Sequence, residues 1–369
     1  MIYLDYQATT PLAPEAREAM LPWLDQFGNP HSPHRLGREA KAAIDVATAR
    51  IASALGDREG QGRLILTSGA TEAANWALQG AFAGTRRKIV TLATEHACVL
   101  DTAEWLANRN AELIVLPVLG NGLVDLDVAA RAIDERTALV AAMLVNNEIG
   151  VIQPVAELAR LARQAGALFF CDAVQGFGRV NLPLDICDLV AISAHKIHGP
   201  KGIGALWLRN GLDWPAMIHG GGQQQGLRSG TLSPMLCAGF GAAAALADQR
   251  REQDRLHISI LSDIADDLFQ DWVLNGDRVH RYLGNRNLRR EGVDSSRLIS
   301  DVRDVAFSAG SACASGSGRP SHVLRALGLS ETQARSSIRL GFGRYTTQEE
   351  LREAAALINR AAARQLEWV

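Results

Sequence analysis

Short apolar runs, each closed by a polar residue and followed by a helical stretch, constrain this chain more than any other feature. Residues 63–67, 88–92, 139–145, 167–171 and the run ending at Ile192 are too short and too continuous for amphipathic helices. They read as strands buried on both faces. The segments between them carry helical spacing. Ile44, Ala47, Ile51 and Leu55 recur at three- and four-residue intervals, and Gly56 stops that helix. Such alternation predicts an α/β protein with a mostly parallel sheet covered on both sides. Ligands of open α/β sheets bind outside the carboxyl ends of the strands. Those ends carry Thr71, His96, Asn147, Asp172 and Lys196. Folding alone does not ask for these, because a buried polar group costs free energy unless it is paired.

The last strand end opens Ser193-Ala-His-Lys-Ile-His-Gly-Pro-Lys-Gly202. Gly199, Pro200, Gly202 and Gly204 break regular structure, so Lys196 is expected in a turn and not in a helix. It reads either as a solvated loop lysine or as a Schiff-base lysine, which needs an apolar pocket or cationic neighbours to lower its pKa. The Ser68-Gly-Ala-Thr71 turn offers backbone N–H groups and a helix dipole to a phosphate. Taken alone, it also reads as an ordinary N-cap followed by Glu72. Asn29 and His31 lie in the turn-rich stretch 27–33 and either face a cleft or simply form a turn. Together, Lys196, Asp172 and the 68–71 turn meet the needs of pyridoxal 5′-phosphate. That cofactor requires an amine for its aldehyde, a carboxylate for its pyridine nitrogen and a helix N-terminus for its phosphate. His96 is a candidate to stack on the ring, and Gln175 and Asn147 to bond its hydroxyl. No G-x-G-x-x-G follows the first strand, which argues against a dinucleotide.

A chain of 369 residues allows two domains. Its formal net charge of −2 gives no reason to expect nucleic acid or an anionic membrane surface. The five cysteines are odd in number and lack a CxxC pair, so neither a disulfide framework nor a zinc site is expected. No leader pattern or membrane-length apolar run is visible, and the expected location is the cytoplasm. Cys313 stands apart from the cysteines in apolar strands. It lies in the small polar stretch 309–318, where exposure invites oxidation and is worth having for a thiol that reacts. An Ala-rich helix at 234–246 gives way near residue 249 to a second, charged helix ending near 268. The domain boundary is placed there: 13–248 as a large cofactor-binding domain, and 1–12 with 249–369 as a small domain carrying the Cys313 loop.

The ordered series Tyr3-Leu-Asp-Tyr-Gln-Ala-Thr-Thr-Pro11, Phe27-Gly-Asn-Pro30, Thr67-Ser-Gly-Ala-Thr-Glu72, Thr94-Glu-His96, Val145-Asn-Asn-Glu-Ile-Gly150, Asp172-Ala-Val-Gln175, the Lys196 stretch, Arg228-Ser-Gly-Thr231 and Gly310-Ser-Ala-Cys313 resembles the cysteine desulfurases nearly end to end. The region from Cys313 to Gly328 is similar to the long-loop subgroup serving iron–sulfur cluster assembly and nitrogenase maturation. The resemblance implies a fold-type-I, class-V pyridoxal-phosphate enzyme with a mostly parallel seven-stranded sheet and a smaller α+β domain. It implies that Lys196 holds the cofactor and later moves the α-proton. Asp172 pairs with the pyridine nitrogen, His96 stacks and acts in proton transfer, and Gln175 and Asn147 contact the ring hydroxyl region. Ala70, Thr71, Ser193 and His195 hold the phosphate, joined by Thr231 of the partner subunit in a homodimer. Arg339, with Asn147, binds the substrate. Cys313 takes sulfur from L-cysteine as a persulfide, leaving alanine, and passes it to an iron–sulfur scaffold or another acceptor. Cys313 is also the one metal-ligating candidate, and only for a cluster during transfer. A selenocysteine lyase or an aminotransferase of the same class is the alternative; a transaminase has no use for Cys313. One departure is the basic run 281–290, which stands where the family has an apolar strand and puts the small-domain sheet in question.

Overall fold

Seven strands form one sheet in the order Gly62–Thr67, Gly204–Arg209, Leu189–Ser193, Leu168–Asp172, Thr137–Met143, Lys88–Leu92, Glu112–Leu116. The computed structural model describes residues 1–309 and 321–367. Only Gly204–Arg209 runs against its neighbours; the other strands share one direction. Thr137–Met143 and Leu189–Ser193 are buried along their whole length, because helices cover both faces. Successive residues serve opposite cores. Leu139 and Ala141 join Ala73, Trp76 and Val99 on one side, and Val140 and Ala142 join Ile44, Leu158 and Phe240 on the other.

The reversed strand matters for the site. Gly204 is in register with Thr67 on one side and Ser193 on the other, so it starts at the edge where the other strands end. A Cβ on Gly204 would lie 2.6 Å from the Ile192 carbonyl oxygen and 2.8 Å from Gly69 Cα. Only glycine lets the 68–71 turn settle against that edge.

The helix expectations hold for Arg35–Leu55, where His34 Nδ1 accepts the Gly37 N–H and Gly56 closes the end at φ 103°. They change for the pair placed at 234–246 and 249–268. These are one helix, Pro234–Leu268, capped by Ser233 and continuous through residue 249. No Gly or Pro follows Gly241 within it, so the shift in composition alters what covers the helix and does not end it. Its first half packs closely on Arg35–Leu55: a Cβ on Gly241 would sit 2.6 Å from Ala47 Cα. Lys196 also differs from expectation. It closes a single 3-10 turn, Ala194–Lys196, because Gly199 and Pro200 lie far enough downstream to let one turn form.

The basic run forms its strand after all. Asn285–Arg289 is the middle of a three-stranded antiparallel sheet between Ser337–Gly341 and Val273–Leu274. Hydrogen bonds and an ion pair replace apolar packing. Arg286 Nε donates to Asp266 (2.9 Å), Asn275 Nδ2 donates to Asn287 Oδ1 (2.8 Å), and Asn287 Nδ2 donates to the Glu148 carbonyl (3.2 Å). Each satisfied bond contributes about 1 kcal/mol net, and each buried group left unpaired costs about 1–3 kcal/mol. The polar strand is therefore tolerated because most of its buried polar groups are bonded, although among the described residues Asn285 Oδ1 and Arg289 Nε have no partner. The amino-terminal strand Ile2–Tyr3 pairs with Val305–Ala306, and Asp5 bridges Gly341. This stitching carries Gln7 and Ala8 across the edge of the large sheet. Among the described residues, no helix is long and apolar enough to cross a membrane.

Candidate active site

A cleft of about 1020 Å³ opens at the carboxyl edge of the large sheet. Ala70, Thr71, His96, Asn147, Asp172, Gln175, Ser193, His195, Lys196 and Arg339 all line it. Thr231 does not; it is exposed on the 219–231 loop of its own chain. Cys313 lies outside the described residues. Asn29 and His31 do not reach the cleft, and Asn29 Oδ1 accepts the His31 N–H (2.9 Å) within their own turn.

Lys196 Nζ donates to the carbonyls of Gln7 and of Ala8 (2.8 Å for Ala8). Burial, then the Arg179 and Arg339 charges, lower its pKa to about 7. The amine is thus half neutral near pH 7, where an exposed lysine would be almost fully protonated. The Asp172 carboxylate accepts the Val174 N–H (3.0 Å) and, among the described residues, no other hydrogen bond. Burial pushes its carboxyl up, opposed by that N–H and by His96 and Lys196. Glu95 lies beside it, fully buried, and is pushed well above the carboxylate range by burial and by Asp172. Among the described residues no cation opposes that rise at Glu95, whereas His96 and Lys196 oppose it at Asp172, so of the two carboxyls Asp172 is the better placed to carry charge.

His96 caps the helix Ala97–Ala107: its Nδ1 accepts the Cys98 N–H (3.1 Å). That bond assigns a neutral ring its hydrogen on Nε2, and burial keeps it neutral by lowering its pKa. His195 meets Thr9 Oγ1 at 3.1 Å, with a pKa lowered to about 4 by burial and then by Lys196. Gln175 is already engaged, donating to the Gln7 carbonyl (2.8 Å) and accepting from Arg179 (2.5 Å). Arg339, almost fully buried, donates to Asp5 (2.7 Å), to the Asn147 carbonyl (3.0 Å) and to Ser308 (3.1 Å), while its Nε has no partner among the described residues.

The helix Ala70–Phe82 starts at the cleft without a side-chain cap. Glu72 does not fill that role. It accepts the Ser68 N–H (2.8 Å) and pairs with Arg228 (2.9 Å), which leaves the first-turn N–H groups free for an anion. A Cβ on Gly69 would meet nothing within 4 Å, so the space above the turn is open. An under-bonded buried carboxylate, a near-neutral lysine and an uncapped helix N-terminus with room beside it fit pyridoxal 5′-phosphate.

Several cleft partners escaped sequence reasoning. Gln7, Asp5 and Arg179 act through backbone carbonyls or distant ion pairs that no local pattern marks. Glu148 and His322 lie in quoted stretches, but their roles are tertiary. Glu148 accepts from Ser321 Oγ, and His322 Nε2 lies 2.9 Å from the Glu95 carbonyl. Of the described cysteines, Cys98 lines the cleft, and burial pushes its thiol up, away from a reactive thiolate. Among the described residues, no group of three or more His, Cys, Asp or Glu side chains is arranged to hold a metal ion.

The sequence matches the model of the family described as aminotransferase class-V over residues 2–353. It is 45% identical to the cysteine desulfurase IscS of Rickettsia bellii, covering 97% of this chain and 90% of that one. The IscS of Rickettsia prowazekii is 43% identical over the same shares. Among solved structures, a NifS-like protein superposes with a TM-score of 0.90 at 29% identity, each chain covered in full. SspA in complex with cysteine gives a TM-score of 0.84 at 32% identity, covering 94% of this chain and all of that one. The fold is that of the fold-type-I enzymes, and enzymes of this kind depend on pyridoxal phosphate. The uncapped turn, the lowered lysine and the sheet that assembles them thus have a family to which they answer, and this chain belongs to the cysteine desulfurases of the class-V aminotransferase family.

Proposed function

We infer that the protein is an L-cysteine desulfurase that carries the removed sulfur as a persulfide on Cys313. The observation that carries this reading is the way the chain on either side of Cys313 is tied to the cleft. Ser308 Oγ donates to Asp5 (2.7 Å) and accepts from Arg339, and Ser321 Oγ donates to Glu148. A chain spans at most about 3.5 Å per residue, so Cys313 stays within about 18 Å of Ser308. A separation of that length supports the reading that Cys313 serves the cleft.

When bound, pyridoxal phosphate supplies an electron sink for the substrate's Cα. Asp172 would hold the proton on its pyridine nitrogen, and Lys196 would hold its aldehyde carbon. Ala70, Thr71, Ser193 and His195 would hold its phosphate, and Asn147 and Gln175 its hydroxyl side. Lys196, with a pKa near 7, accepts and returns the α-proton without a large penalty in either direction. His96 offers its Nε2–H to the reacting groups. Arg339 clamps the substrate carboxylate with the fork it now directs at Asp5 and Ser308. The Cys313 thiol takes the substrate sulfur: an S–S bond forms as the C–S bond breaks, the C–S electron pair stays with the substrate carbon, that carbon takes up the proton the thiol gives up, and L-alanine leaves.

We further propose a homodimer in which Thr231 reaches the partner's phosphate site, a division into 13–248 and 1–12 with 249–369, a cytoplasmic location, and an iron–sulfur scaffold or other protein as the sulfur acceptor. The test is a Cys313→Ala variant of the cofactor-loaded enzyme. Alanine and sulfide formation from L-cysteine should fall to background while the bound-cofactor absorbance persists. Unchanged turnover would remove the persulfide step.

A further inference from the structure

A second cavity, of about 480 Å³, reaches Lys196 and His198 but is walled largely by residues the reaction does not use. Five guanidinium groups line it, Arg179, Arg251, Arg255, Arg281 and Arg344, together with the carboxylates of Glu252 and Asp254. Arg251 pairs with Asp248 (3.2 Å) and Arg255 with Glu252 (2.5 Å). Arg344 pairs with Asp254 (2.7 Å). Arg281 is only 5% exposed, yet it donates only to the carbonyls of Asp277 (3.1 Å), Ile149 (3.1 Å) and Asn285 (2.9 Å). Arg179 bonds the Gln175 side chain (2.5 Å) and the carbonyls of Tyr6 (3.4 Å) and Lys196 (2.7 Å). Among the described residues, neither forms an ion pair. In addition, Arg281 Nε and Arg344 Nη1 are buried donors with no partner among the described residues.

A buried cation without a counter-charge is unfavourable, and so is a buried N–H without an acceptor. Water supplies an acceptor but no charge. An oxyanion supplies both, and the planar fork of arginine is matched to it. The rest of the wall is mixed: Asn181, Lys196 and His198 are polar, and Ile258, Leu283 and the Tyr282 ring give an apolar stretch that suits a short carbon frame. We propose that this cavity is a second ligand site, which takes a small organic anion through its carboxylate or phosphate groups. The Arg179 bond to the Lys196 carbonyl places such a ligand one contact from the turn that carries the reactive lysine.

The test uses the cofactor-loaded enzyme, so that the phosphate cradle of the cleft is filled. Citrate and inorganic phosphate are titrated calorimetrically, with chloride at matched ionic strength as control. At least one should bind with one site per chain, and Arg344→Gln should weaken it at least tenfold. Citrate binding tighter than phosphate points to carboxylates, and the reverse to phosphates. Binding unchanged in Arg344→Gln but lost in Arg339→Gln would mean the anion sits in the substrate cleft, and the proposal fails. Because Arg344 also holds Asp254, crystals of the unaltered enzyme grown with selenate give a second measurement. Anomalous density between Arg281 and Arg344 is expected, and its absence together with silent titrations overturns the site.

Discussion

Lys196 shows how much of the chemistry is set by surroundings. Its nitrogen is held at about 7 against an ordinary 10.5, by burial first and by Arg179 and Arg339 next. Below pH 7, the folded and unfolded cofactor-free chains both keep the proton. Between about 7 and 10.5 the unfolded chain keeps it and the folded one does not. The cofactor-free protein should therefore gain stability as pH rises through that window. The same titration governs capture of the aldehyde. The rate of pyridoxal-phosphate uptake, followed by absorbance, should climb about tenfold per pH unit below 7 and level off above it. A rise delayed to pH 9 or beyond would mean that the amine is not buried as described. Lys196, Asp172 and His96 were legible because each ends an apolar run. The carbonyls of Gln7 and Ala8, which hold the amine, were not, since a backbone acceptor leaves no trace in residue type.

At the level of elements, the close approach of Gly204 to Gly69 ties sheet to cofactor turn. Gly204→Ala would drive a Cβ into two backbones, at 2.6 and 2.8 Å. Overpacking of this kind costs about 1–3 kcal/mol. The expected result is a lower melting temperature together with weaker cofactor retention on gel filtration; a variant that matches the parent in both would show that the turn can move aside. The strands and long helices were readable from apolar spacing. Two short helices were passed over although their caps are in plain view: Asp294 before Ser295–Asp301, and the Ser330–Gln333 capping box before Glu331–Arg335. The strand Asn285–Arg289 was hidden for the opposite reason. Its side chains find Asp266, Asn275 and Glu148, which are remote in sequence, and composition alone cannot reveal a polar strand made acceptable by distant partners.

For the whole molecule, the open question is the partner subunit. Thr231 is exposed and stands outside the cleft of its own chain. If it completes a neighbour's phosphate site, the protein should sediment as a dimer, and Thr231→Ala should loosen the cofactor by about 1 kcal/mol, roughly fivefold. A monomer that retains cofactor equally well with and without Thr231 would refute the shared site. What the amino-acid order determined alone is the alternation of strand and helix and the polar residue at each strand end, because burial periodicity and turn chemistry act over a few neighbouring residues. Tertiary structure alone decided which of those ends face one another, which carbonyls hold Lys196, and where the arginines of 281–290 find their partners. These depend on contacts between segments hundreds of residues apart, and they are made only once the sheet has closed its two cores.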